Sequence, residues 1–240
     1  MAAEELASGV YRLGSHWVNF YLVVDGAEAT LVDAGYPRYL GQLEEPVGGL
    51  ARPIDAIRGV IVTHHHVDHA GTAEALRARS GATVFVHAGD RSKVEGDVPS
   101  HPPKGFYREA WRPSMIRYLA HTVVFGGANY RAVTETAPLA GGTLDLPGRP
   151  QIIETPGHTA GHCSVHFPDL GVLLVGDALV NFDYAAGKAG ISLHRFNEDR
   201  ERARASLERF AGLEAETVLF GHGDPWTDGV KSAIGRAATS

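Results

Sequence analysis

A single cysteine, Cys163, stands among 240 residues, so no disulfide can close within the chain. Stability must come from a core, and a chain of this length buries roughly 70–75% of the surface its unfolded form exposes. The hydrophobic share of 44% is ordinary for that task. Long apolar runs are also missing. The best, at 172–175, is strand-sized, far short of the ~20 residues a membrane helix needs. The opening Met1-Ala2-Ala3-Glu4-Glu5 lacks the basic and apolar regions of a secretory signal. With one thiol and no such signal, the sequence predicts a cytoplasmic protein with no membrane partner. Positive charge is scarce: 22 Lys and Arg against 28 Asp and Glu give a net charge of −6. That balance argues against a nucleic-acid partner, whose phosphates need clustered cations. Arg200, Arg202, Arg204 and Arg209 are interleaved with Glu198, Asp199, Glu201 and Glu208, which reads as a solvated helix face.

The pattern that remains is α/β, with neither repeats nor low-complexity segments. Short apolar runs at 10–13, 19–24 and 30–32 read as strands, with Asp25-Gly26 as a hairpin turn. A helical pattern through Leu40, Leu43 and Leu50 follows. The continuous apolar run 57–62 predicts a strand buried on both faces, then a helix at 70–79 and a strand at 83–86. Residues 94–142 differ: they hold Pro99, Pro102, Pro103 and Pro113, a helix-like stretch at 114–124, and two Gly-Gly pairs. We read them as a partly helical insertion in a single domain spanning 1–240, and long irregular segments are often functional. Strands are expected again at 143–146, 151–154, 164–167, 172–175 and 217–220. Helices are expected at 198–210, with Asn197 as N-cap, and at 226–238. Strands and helices recurring in this order suggest two similar halves.

The chemistry gathers in Thr63-His64-His65-His66-Val67-Asp68-His69, straight after the buried strand. Residues two apart in extended chain point the same way. His64 and His66 can therefore aim at one metal while His65 faces away as a spacer, partly exposed. The turn into the following helix can swing Asp68 and His69 toward a second metal. Histidine and aspartate suit a borderline ion such as zinc. Closure must come from elsewhere in the chain. His158 in Pro156-Gly157-His158-Thr159, Asp177 after Gly176, and His222 between Gly221 and Gly223 each end a predicted strand, where glycine permits close approach.

Thr63–His69 resembles the T-H-x-H-x-D-H signature of the metallo-β-lactamase superfamily. Asp33 in Val32-Asp33-Ala34-Gly35, Pro156-Gly157-His158-Thr159-Ala160-Gly161, Gly176-Asp177 and Gly221-His222 match its other motifs in family order. The resemblance covers nearly the whole chain. It implies a four-layer αββα sandwich with the site at one edge of two sheets. It assigns His64, His66 and His158 to a first metal and Asp68, His69 and His222 to a second. Asp177 would bridge the two, and Asp33 would support the ligands from behind. The expected cofactors are two divalent ions, zinc first, with iron or manganese as alternatives.

The implied reaction is hydrolysis of a small carbonyl substrate (lactone, thioester or other ester, less readily a β-lactam) by a metal-bound hydroxide, with Asp68 orienting the nucleophile and moving its proton. Glyoxalase II sequences end their last motif G-H-E-Y, whereas this chain has Gly221-His222-Gly223-Asp224, which counts against a glutathione thioester. The alternatives are an iron-dependent persulfide dioxygenase, which keeps the same cluster, and a nuclease or phosphodiesterase branch. Phe106, Tyr107, Trp111, Met115, Ile116, Tyr118, Leu119 and Phe125 offer an apolar wall for the pocket. Tyr184, Lys188 and Arg195 are further candidates to line it. His162 reads as a supporting residue and Cys163 as a core thiol. His16, His87, His101, His121, His166 and His194 have no motif and are assigned to structure or surface.

Overall fold

The computed structural model describes residues 3–103 and 105–238. Met1 and Ala2 of the N-terminal reading, and Lys104 of the expected insertion, lie outside the described residues. The elements are, in order, β1 (Glu4–Ala7), β2 (Val10–Gly14), β3 (Asn19–Asp25), β4 (Glu28–Val32), α1 (Pro53–Ala56), β5 (Ile57–Val62), α2 (Val67–Ala70), α3 (Ala73–Ser80), β6 (Thr83–His87) and α4 (Ala88–Val94). They continue through α5 (Pro113–Val124), β7 (Ala137–Leu139), β8 (Gly142–Thr143), β9 (Gln151–Glu154), β10 (Cys163–Phe167), β11 (Val172–Gly176), β12 (Val180–Asp183), β13 (Lys188–Ser192), α6 (Arg200–Ser206), β14 (Thr217–Phe220) and α7 (Gly229–Ala238).

Two sheets form. One runs β1 to β7 in chain order; the other runs β14-β11-β10-β9-β8. Alternation along the strands decides the layering, because successive side chains leave opposite faces. In β3, Phe20 and Leu22 enter one core and Tyr21 and Val23 another. In β5, Val60 and Val62 face the first core and Ile61 the second. In β11, Val172 and Leu174 join that same middle core, while Leu173 and Val175 turn to a third. The middle core lies between the sheets. The outer two lie under helices, with Ala73 and Leu76 of α3 in the first and Ala203 of α6 with Val230 of α7 in the third. This is the four-layer αββα sandwich, and each sheet delivers strand ends to one edge.

Local chemistry moves several boundaries from where periodicity puts them. The helix expected at 70–79 is two pieces, α2 and α3, parted at Gly71-Thr72, where the Thr72 hydroxyl donates to Ala34 O at 2.5 Å. Asp199, not Asn197, caps α6: it accepts from Arg202 N at 2.9 Å, while the Asn197 amide donates to His194 O at 2.7 Å. The last helix starts at Gly229 because Trp226 pairs with Val218 through both of its backbone groups. Past the 3₁₀ turn Pro37–Leu43 the chain bridges Val47 to Leu50 instead of continuing as a helix. The strand expected at 143–146 shrinks to β8. Strands β1 and β7 and the β12–β13 hairpin were not legible in the sequence, being short or polar. The expected insertion at 94–142 supplies α5 and two 3₁₀ turns, Phe106–Glu109 and Gly127–Asn129, but its end is not inserted: it holds β7, the edge strand of the first sheet.

Candidate metal centre

β5 runs into Thr63 and His64 at the sheet edge, and His66 then caps the short α2 in extended conformation (φ −65°, ψ 147°). His158 comes from the turn after β9, Asp177 from the end of β11, and His222 from the end of β14. All these side chains are buried except His66, which is partly exposed. The ligand atoms of His64, His66 and His158 lie within 4.8 Å of one another, as do those of Asp68, His69 and His222. Asp177 stands between the two groups. Its Oδ2 is 3.4 Å from His158 Nε2 and 3.2 Å from His222 Nε2, and its Oδ1 is 3.6 Å from His69 Nε2.

Hydrogen bonds on the far side of three rings, His64, His69 and His222, fix which nitrogen is turned to the cluster. His69 Nδ1 is 2.8 Å from Asp33 Oδ2, an acceptor only, so Nδ1 carries the proton and Nε2 offers a lone pair. His222 Nδ1 donates to Trp17 O at 2.6 Å, with the same result. The Thr63 hydroxyl spends its proton on Asp33 Oδ2 (3.0 Å), so it accepts from His64 Nδ1 at 3.0 Å. Ligand nitrogens thus converge: His66 Nδ1 stands 3.0 Å from His64 Nε2 and 3.1 Å from His158 Nε2. One proton on His66 Nδ1 could serve only one of these two neighbours, whereas a tetrahedral zinc ion would engage all three, spacing its donors about 3.3 Å apart. His69 Nε2 and Asp177 Oδ1 are sealed from water without a partner, a costly condition that a cation removes. The residues therefore fit divalent ions.

Electrostatics agree. Burial, then repulsion from neighbouring histidines, holds His64 and His158 well below the ordinary range, and His66 at about 3, so these rings stay neutral. His69 is the reverse. Burial disfavours its charge, but Asp33, Asp177 and Asp68 outweigh that and lift it to about 10, so Nε2 also holds a proton unless a cation takes its place. Asp177 is held well below the carboxylate range, burial being outweighed by His222, His69 and His194. Carboxylates crowded here call for positive charge.

The supporting residues are as telling as the ligands. Asp33 takes a left-handed backbone (φ 62°), which aspartate tolerates better than most residues, and it gathers Thr63 N (2.8 Å), the Thr63 hydroxyl and His69. Two residues without a sequence motif also join the site. Asp90, buried in α4, accepts from His65 N (3.0 Å), the Thr159 hydroxyl (2.6 Å) and Gly161 N (2.9 Å), tying the loop of His64 to that of His158. His194, assigned above to structure or surface, lies 3.5 Å from Asp177 Oδ2. No local pattern announces either one. Only the acid at 90 just after a strand was a faint signal.

Of the other expectations, those for His162 and Cys163 hold and several are corrected. His65 does face away from the ligand cluster, but it is buried, its Nδ1 3.2 Å from Asp90 Oδ2, not a partly exposed spacer. His162 accepts from Asp177 N at 3.0 Å and so pins the shared carboxylate. Cys163 is a core thiol at the start of β10. At Gly221 a Cβ would run into Asp177 Oδ1 and His69 Cε1, so only glycine fits there. Trp111 is 70% exposed and Phe125 packs on Tyr39, so neither walls the pocket. Lys188 and Arg195 line a separate hollow of about 330 Å³, where Arg195 pairs with Asp183 at 2.6 Å.

The cavity beside the histidines holds about 650 Å³ and is walled by His66, Asp68, Phe106, Tyr118, Leu119 and Tyr130. Lys93 is the one Lys or Arg lining it among the described residues, and it is paired with Glu198 at 3.0 Å. Tyr184 lies behind this wall, stacked on Tyr118 with ring centres 3.9 Å apart.

The sequence profile of the metallo-β-lactamase superfamily matches residues 17–222, and the chain belongs to that superfamily. By class it is a metal-binding hydrolase. It is 27% identical over 238 residues to the probable metallo-hydrolase YflN of Bacillus subtilis, covering 94% of this chain and 88% of that protein. It is 28% identical over 199 residues to a hydroxyacylglutathione hydrolase of Methylococcus capsulatus, covering 76% of this chain but only 60% of that protein. The crystal structure of a metallo-β-lactamase family protein, TTHA1429 from Thermus thermophilus, superposes with TM-score 0.67 at 27% identity, over 98% of this chain and 79% of the other. Rm3 metallo-β-lactamase shares the fold at TM-score 0.71 and 17% identity, over 100% of this chain and 91% of the other.

Proposed function

We propose that this protein hydrolyses a small, largely apolar carbonyl compound (a lactone, thioester or other ester) at a dinuclear centre. His64, His66 and His158 would hold one ion and Asp68, His69 and His222 the other, with Asp177 standing between the two groups. Bound there, two zinc ions would supply a Lewis acid for the carbonyl and an activated water. The chain's own residues do the rest. Asp33 and Thr63 orient His69 and His64, and His162 holds Asp177 by its backbone. Asp68 borders the cavity and is the carboxylate placed to take a proton from the nucleophile.

The observation that carries this reading is the union of two lone-pair clusters with an apolar cavity of about 650 Å³, a size suited to a small organic ligand. That cavity offers no unpaired Lys or Arg among its described residues. Charge therefore favours a neutral acyl compound over a nucleic acid or a multiply charged thioester, in line with the departure at Gly223-Asp224. The segment 94–142 contributes Phe106, Tyr118, Leu119 and Tyr130 to the wall and so shapes selectivity.

Elemental analysis of protein purified without chelator, joined to a screen of lactones, thioesters, phosphodiesters and a chromogenic β-lactam, tests the proposal. We expect close to two equivalents of metal and turnover of lactones or simple esters. A mononuclear protein that instead oxidises a thiol or persulfide with oxygen uptake would overturn it.

A further inference from the structure

The hydrogen bonding of His194 runs opposite to that of His64, His69 and His222. Phe196 N donates to its Nδ1 at 3.1 Å. A ring nitrogen that accepts carries a lone pair, so the proton of the neutral ring sits on Nε2. That Nε2 faces the centre. It lies 3.5 Å from Asp177 Oδ2, too far for a good hydrogen bond, and the ring is 4.4 Å from that of His158 and 5.8 Å from that of His222. His69 and His222 present lone pairs inward because Asp33 and Trp17 O take their Nδ1 protons. His194 presents an N–H.

The loop enforces this arrangement. The Asn197 amide donates to His194 O at 2.7 Å, and Phe196 packs against Phe106 of the cavity wall with ring centres 5.4 Å apart. To ligate a metal through Nε2, His194 would have to move its proton to Nδ1 and point it at the Phe196 N–H. Such a clash of donors in a buried site costs about the price of an unmade hydrogen bond, or more.

We propose that His194 is a hydrogen-bond donor to the substrate, not an eighth ligand: its Nε2–H is aimed at the carbonyl oxygen as negative charge develops there. This deepens the proposed reaction and rests on it. Were Asp177 engaged by ions on both sides, the N–H beside it would lose that acceptor, and a substrate oxygen between the two ligand groups would be the partner for it. The ring keeps its proton throughout, so no proton transfer is asked of it. A preorganised donor costs no reorganisation when charge appears, which is why such groups act chiefly in the transition state.

Three measurements on the full chain test the proposal. Long-range proton–nitrogen NMR of the zinc-loaded protein should show His194 with its proton on Nε2, and His69 and His222 with theirs on Nδ1. The visible spectrum and stoichiometry of the Co(II)-loaded protein should be the same for wild type, His194→Gln and His194→Phe. With a lactone or ester that the wild type turns over, His194→Phe should lower kcat roughly 100-fold with little change in KM, and His194→Gln, which keeps a donor, should recover part of the loss. A proton found on Nδ1, or a Co(II) spectrum altered in both variants, would make His194 a ligand and overturn the proposal. So would an unchanged kcat. If the wild type turns over no carbonyl compound while the proton still sits on Nε2, the reaction reading and the substrate role fall together, leaving only the geometry of the donor.

Discussion

The hydroxyl of Tyr118, on α5, donates to Asp68 Oδ2 at 2.7 Å. An aromatic residue from the segment 94–142 thus reaches a side chain of the histidine motif. The contact is held from behind, since Tyr36 OH bonds both Tyr118 OH (3.2 Å) and the Thr122 hydroxyl (2.7 Å). Tyr118→Phe removes the donor and keeps the stack on Tyr184. Partners that orient a ligand typically govern affinity 10- to 100-fold. In competition with a chelator, we expect the variant to hold its more weakly bound metal about tenfold less tightly, with Tm nearly unchanged. Equal metal affinity and equal rate would show that the contact plays no part in the site.

Asp177 and His65 should behave very differently on substitution. Asp177→Asn removes the charge shared by both ligand groups and should empty the site and abolish turnover, as elemental analysis and assay will show. His65→Ala should keep its metal but lose stability, because Asp90 loses a buried donor. A loss of about 1–3 kcal/mol is expected from urea unfolding. Metal loss in His65→Ala would place the ring on the wrong side of the cluster.

Asp90 gives the chain an acid limb. Burial alone would raise its pKa, but hydrogen bonds from His65, Thr159 and Gly161 outweigh burial and hold it well below the carboxylate range. A depressed folded pKa means stability that is full above the unfolded value, about 3.9, and drains away as pH falls below it. Asp90→Asn should therefore be less stable than wild type at pH 7, and the gap should narrow toward pH 3. Urea midpoints across that range measure it, and a gap independent of pH would contradict the assignment.

Cys163 should be inert in the folded protein, since burial pushes its thiol up to about 12. At pH 8, a disulfide reagent such as DTNB should label no thiol until urea is added, then one per chain. Rapid labelling of the native protein would mean that the middle core opens.

Much of this architecture is carried by local pattern. The alternation of Phe20, Tyr21, Leu22 and Val23 and the run Ile57–Val62 read as strands because period-2 burial needs only neighbours along the chain. The histidine motif reads as a ligand cluster for the same reason, as its donors are close in sequence. Helix ends read less well: Asn197 and Asp199 are equally good caps by composition, and only the bond from Asn197 to His194 O leaves the role to Asp199.

Tertiary structure alone decided the rest. Asp90, Tyr118 and His194 sit in α4, in α5 and in the loop after β13, each far in sequence from the residues they meet. Their side chains carry no motif because their task depends on which loops end at the same sheet edge. Which histidines offer a lone pair and which offers a proton was undetermined by residue type, since every neutral imidazole has one of each. A carboxylate behind His69, a carbonyl behind His222 and a backbone N–H behind His194 made that choice, and packing brought each of them there.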